Sequence, residues 1–221
     1  LKSKPKLLPT TDLTRPSARR QKSSAEERWE EERALLTADT EAASRVTRLL
    51  EELQLVDMAD QLHAEIAAKA PAAVVERAEF LARHSRVDEA VDLLGELWVA
   101  PPAAVPRQRV LRAAVTAVQT VTPAAAPQAW ATVARWLAEA AEDAPDSPPV
   151  LMLRAEFETA RENVSVAESL YRAVLADGHA DKPTQAVAAN NLAFQLAAPA
   201  TADEAAALID AAIATLGPQP D

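Results

Sequence analysis

Apolar positions along the chain recur with helical spacing, and three times an alanine is followed by another twelve residues on: Ala78 to Ala90, Ala155 to Ala167 and Ala193 to Ala205. Each second alanine has a bulky residue four positions later (Leu94, Tyr171, Ile209) and an apolar one seven positions later (Leu97, Val174, Ala212). A small residue on one helix, a small residue on the next and a large one a turn later is the pattern of stacked helical hairpins. Two helices approach closely only where a small side chain meets the partner, and a large neighbour then fills the gap that remains.

Prolines divide this pattern into elements, because proline breaks a helix interior but is tolerated in a first turn. Between Pro71 and Pro199 they leave room for most of ten helices, predicted near 41–54, 56–69, 72–84, 87–99, 106–121, 127–142, 149–160, 164–177, 183–197 and 202–216. Ser147 before Pro148 reads as an N-cap, Thr201 with Glu204 as a capping box, and Gly178 and Gly217 stand where helices should stop. Short turns around Gln54, His84 to Arg86, and Glu162 to Asn163 force antiparallel neighbours, so the ten helices make five pairs. The stretch from Pro106 to Ala144 is the least regular and needs a longer internal loop. Ahead of the array, residues 1–23 are polar, proline-dotted and without apolar period, which predicts a mobile arm. Ser24 and Glu27 then open a short charged helix over 24–38, with Trp29 and Leu36 two turns apart.

Composition agrees with an all-α protein: nearly a quarter of the residues are alanine, three are glycine, and 49% are apolar. The absence of cysteine excludes disulfides, thiolate metal sites and a cysteine nucleophile together. No run approaches the roughly 18 apolar residues of a membrane span. The net charge of −10 hides two unlike parts: residues 1–22 sum to +6, leaving −16 for the remainder. Such an acidic body disfavours nucleic acid and anionic membrane and favours basic partners. The alanine-rich make-up, with Leu1 at the start and Asp221 in mid-pattern, reads as a fragment of a larger bacterial chain, with the cytoplasm favoured.

The units resemble tetratricopeptide repeats, helix–turn–helix modules of about 34 residues. That family carries small residues at repeat positions 8 and 20, a bulky one at 24, an apolar one at 27 and often proline at 32. Ala78, Ala90, Leu94, Leu97 and Pro102 fill all five positions, and Ala155, Ala167, Tyr171 and Val174 fill four, as do Ala193, Ala205, Ile209 and Ala212. Thr47, Ala59, His63, Ile66 and Pro71 form a weaker match. The large residue common at position 4 is replaced by Val74, Val110, Leu151 and Ala189. The resemblance covers residues 40–217. No hairpin buries its apolar face alone, so the pairs are expected to stack into a right-handed α-solenoid with first helices on the inner wall.

The resemblance implies a scaffold that binds a protein or peptide in a concave groove. Its inward positions would be Glu41, Ser44 and Arg48, then Val75 and Glu79, then Gln108, Leu111, Val115 and Val118, then Met152 and Glu156, and last Asn190 and Phe194. Leu111, Val115, Val118 and Met152 make the middle apolar, so either a ligand covers them or the register is shifted and they belong to the core. Asn190 and Asn191, in a helix where asparagine has no advantage, suit either peptide backbone or a hydrogen bond between repeats. With no lysine beside Met152, Glu156 and Asn190, the family's clamp for acidic C-termini is not expected.

Catalysis is not expected. His63, His84 and His179 stand far apart in the array, serines have no histidine partner, and there is no phosphate loop or cofactor motif. Trp98, Trp130 and Trp136 fall on second helices, where they should pack between repeats. Two other roles stay open: a regulatory or substrate-positioning segment of a larger enzyme, and a spacer that self-associates through an exposed terminal repeat.

Overall fold

In the computed structural model of the protein, residues 29, 33, 39–197 and 201–216 are described. The arm 1–23, most of the helix expected over 24–38, and Gly217 lie outside them. The described residues form ten helices: α1 (Thr40–Glu52), α2 (Val56–Lys69), α3 (Pro71–Arg83), α4 (Val87–Val99), α5 (Arg107–Val118), α6 (Pro127–Asp143), α7 (Pro148–Ala160), α8 (Val164–Ala176), α9 (Lys182–Gln195) and α10 (Ala202–Leu216). No strand occurs among the described residues, so the fold is all-α. The helix bounds follow the proline punctuation closely. The largest departure is α5, which ends at Val118, three residues early; there the hydroxyl of Thr120 donates to the carbonyls of Ala117 (2.8 Å) and Ala82 (3.3 Å).

The chain separates within α2 into two compact units, Leu1–Leu62 and His63–Asp221. In the first, Asp39 caps α1 by accepting from the backbone N–H groups of Glu41 and Ala42, and Ala43, Thr47, Leu50, Ala59 and Leu62 are buried. Arg33 donates to the amide oxygen of Gln61 at 2.9 Å.

In the second unit each helix packs on the next, and first helices also meet: α3 on α5, α5 on α7, α7 on α9. The alanines explain the close approach. Ala78, Ala90, Ala155 and Ala167 are fully buried, and Ala193 nearly so. Tyr171 and Leu94, the large residues a turn later, are buried beside them. Around Ala155 and Ala167 the core continues through Leu151, Met152, Leu170 and Val174 to Leu192 on α9. The three tryptophans of the second unit are buried as expected: Trp98 stacks on Trp136 (centroids 5.3 Å apart, planes 18°) and donates to Glu139 at 2.8 Å, while Trp130 tilts against Phe157 at 5.0 Å. His63 and His84, expected far apart, both lie against Phe80, at 4.7 and 4.6 Å.

Three turns share one geometry. Gln54, Ser85 and Glu162 have φ of 59°, 62° and 62°. The N–H of the following residue reaches back to Leu50, Leu81 and Glu158 respectively, closing a Schellman turn. Glycine normally takes that left-handed position, so a residue with a Cβ is strained there by about 1–2 kcal/mol. Glu162 is exposed, and Glu162→Gly should therefore raise stability by about 0.5–1 kcal/mol in urea unfolding, once the extra backbone freedom of glycine is subtracted. A fall in stability would show that the turn is unstrained.

Ser147 stands at the N-cap of α7 but its side chain makes no capping hydrogen bond. Pro148 and Pro149 occupy the first turn instead and leave fewer N–H groups there to cap. In the second unit a side-chain cap forms at Asp181 ahead of α9, which accepts from the N–H of Thr184 at 2.8 Å and is thereby held below the usual carboxylate range.

Candidate functional site

Three first helices, α5, α7 and α9, line two clefts that share one residue, Glu156. The larger, about 550 Å³, is bounded by Gln119 after α5, Glu156 and Thr159 on α7, Asn190, Asn191 and Phe194 on α9, and Ala205 and Ile209 on α10, with Tyr171 of α8 and Gln195 as its floor. The smaller, about 280 Å³, lies between Gln108 and Arg112 on α5, Met152 and Glu156 on α7, and Thr184 and Val187 on α9. Helical spacing aligns these side chains: 108 and 112 on α5, 152, 156 and 159 on α7, and 187, 190, 191 and 194 on α9 repeat at three or four residues and so share a face.

A hydrogen-bonded chain sets the floor of the larger cleft. The Thr159 hydroxyl donates to the carbonyl of Ala155 at 2.8 Å, so the Tyr171 hydroxyl, 3.4 Å away, donates to Thr159. Asn191 donates to Tyr171 at 3.4 Å, and the Gln195 amide donates to Thr159 at 2.6 Å. The other end of that amide, Gln195 Oε1, is buried and has no hydrogen-bond partner among the described residues. Burial pushes the Tyr171 phenol up, and the hydrogen bond it accepts from Asn191 offsets part of the rise. Gln119 ties α5 to α7 by donating to the carbonyl of Glu156 at 3.2 Å. Above this floor Phe194 is 82% exposed, an unusual position for a phenylalanine on a packed helix.

The Glu156 side chain is half-buried, and no donor among the described residues reaches its carboxylate. Burial raises its pKa, and the positive charge of Arg112 lowers it in part.

The residues expected to face a groove divide into four sets. Glu156, Asn190 and Phe194 line the larger cleft, and Gln108, Met152 and Glu156 the smaller. Glu79 is exposed on α3 but borders neither cleft. Val115, with Leu111, Val118 and Val75, is corrected: all four are buried in the core. On α5 and its C-cap the exposed row is Gln108, Arg112, Thr116 and Gln119; from Arg112 on it lies one residue beyond the row expected, and a one-residue step turns the helix by about 100°. Glu41, Ser44 and Arg48 belong to the first unit, where Glu41 pairs with Arg45 at 2.6 Å. Asn191, expected with Asn190 to meet peptide backbone or to bond between repeats, lines the larger cleft and donates to Tyr171 of α8. Arg112, Gln119, Thr159 and Gln195 were missed. Their signal was present as the polar members of the three- and four-residue rows, with the register as the missing piece. Among the described residues no group of three or more His, Asp or Glu side chains could hold a metal ion.

No protein-family model matches the chain, and no curated protein matches it in sequence. Its fold is similar to that of a solved structure, BtubC (BKLC) from P. vanneervenii, at 19% sequence identity and a TM-score of 0.50, over 94% of this chain and 96% of that one. At that identity the similarity speaks to the all-helical fold.

Proposed function

We propose that the protein is a tetratricopeptide-like binding scaffold that holds an extended segment of a protein partner along α5, α7 and α9, without chemistry of its own. The exposure of Phe194 on the rim of a cleft floored by amides and a hydroxyl chain carries this reading. An aromatic ring left in water beside hydrogen-bonding groups is what a peptide needs, an anchor for one side chain and partners for the backbone on either side. The rows at three- and four-residue spacing on successive helices, and the buried alanines that bring those helices together, support the same reading.

The test uses a partner segment recovered by affinity capture and then titrated against purified protein. Burying a phenylalanine is worth about 1.5–3 kcal/mol, so Phe194→Ala should weaken binding about ten- to a hundredfold with the far-ultraviolet circular dichroism unchanged. Glu79→Ala, away from both clefts, should leave affinity as it was. Equal affinity of wild type and Phe194→Ala would place the partner elsewhere.

A further inference from the structure

We infer that the groove selects a cationic segment, an extended peptide whose lysine or arginine side chain sits on the Glu156 carboxylate between the two clefts while an apolar neighbour packs on Phe194 and Ile209. The inference rests on the groove reading and adds the chemistry of the ligand.

Glu156 is the residue the two clefts share, so any segment lying along both passes over it. Its carboxylate has lost part of its water and has gained no donor from the described residues. A charge drawn from water without a hydrogen-bond partner is unfavourable until something supplies one. Arg112, exposed on α5, acts on that charge but donates nothing to it, and its partial compensation leaves the carboxyl raised by burial. A second acceptor points the same way, since the buried Gln195 Oε1 on the floor of the larger cleft also lacks a donor. Both empty positions call for N–H groups. The wider field agrees: residues 23–221 carry −16, which draws cationic segments in and repels acidic ones.

The experiment is selection of a random displayed heptapeptide library on the full chain as wild type, Glu156→Gln and Phe194→Ala, with Glu142→Gln as a control that removes an exposed carboxylate from α6. Wild type should enrich peptides with Lys or Arg at one fixed position beside an apolar residue. Glu156→Gln should lose the cationic position and keep the apolar one. A peptide selected on wild type should bind Glu156→Gln about ten- to a hundredfold more weakly, the loss of a charge-assisted hydrogen bond, and Glu142→Gln equally well. Three results would overturn the inference. The same cationic enrichment on Glu156→Gln would assign the preference to the acidic surface at large. An apolar position without a cationic one would leave the groove standing and remove its charge selectivity. A wild-type dimer in sedimentation that Phe194→Ala makes monomeric would make a second copy the occupant. No enrichment on wild type over Phe194→Ala would instead sink the groove reading itself.

Discussion

Trp136→Ala should destabilise the second unit by about 3–5 kcal/mol, a large share of the 5–15 kcal/mol that holds a typical domain folded. Trp136 is 3% exposed and lies at the junction of two pairs: its ring stacks on Trp98 of α4, and its edge lies where a side chain on Gly95 would make ordinary van der Waals contact at 3.6 Å. Removing it opens a cavity of indole size between α4 and α6. Trp98 would also lose the ring that fixes its orientation, weakening its hydrogen bond to Glu139 and the contact of Arg107 over its face at 5.1 Å. Chemical unfolding followed by tryptophan fluorescence measures the effect. A loss under 1 kcal/mol would mean that the pairs are held together elsewhere.

Ala155→Leu should cost about 1–3 kcal/mol, from the opposite cause. Ala155 is fully buried where α7 meets α8, and its partner Ala167 is fully buried on the other side. The added carbons have no space, so they push the helices apart or force rotamers off their minima. Ala211→Leu, the same substitution at an exposed position on α10, should change stability by less than about 0.5 kcal/mol. The pair of variants separates loss of alanine from loss of space. Because Thr159 donates to the Ala155 carbonyl and holds Tyr171 and Gln195 in turn, Ala155→Leu should also weaken partner binding, although Ala155 lines neither cleft. Urea unfolding and peptide titration on one sample would check both halves. Unchanged stability would show that the twelve-residue alanine spacing does not mark a close approach.

The helices were legible because proline and capping residues act within a turn of where they stand. The alanine spacing was legible because close packing of two helices admits a single class of side chain. Less of the groove could be read. On α5 the rows 108, 111, 115, 118 and 108, 112, 116, 119 both satisfy helical spacing, and polarity favours the second only once α5 is seen to pack on α3, α4, α6 and α7 at once. An apolar row facing four neighbours is core. The Schellman turns at Ser85 and Glu162 were expected as short turns, but nothing local marks residues with a Cβ for a left-handed backbone. Trp98 and Trp136 could be assigned to the interior, while their stacking on each other could not, since 38 residues separate them in sequence.

What the chain determined by itself is therefore local and compositional: all-helical character, ten helices with their ends, small residues where hairpins close, and an acidic body with a basic start. These follow from backbone sterics, helix propensity and charge, which need no partner to act. What the tertiary structure alone decided is which side chains meet: the floor from Tyr171 through Thr159 to Gln195, Phe194 left in water above it, and Glu156 between two clefts with no donor among the described residues. Those properties belong to pairs of residues on different helices, and the free energy of a half-buried carboxylate depends on how its neighbours pack rather than on the letters beside it.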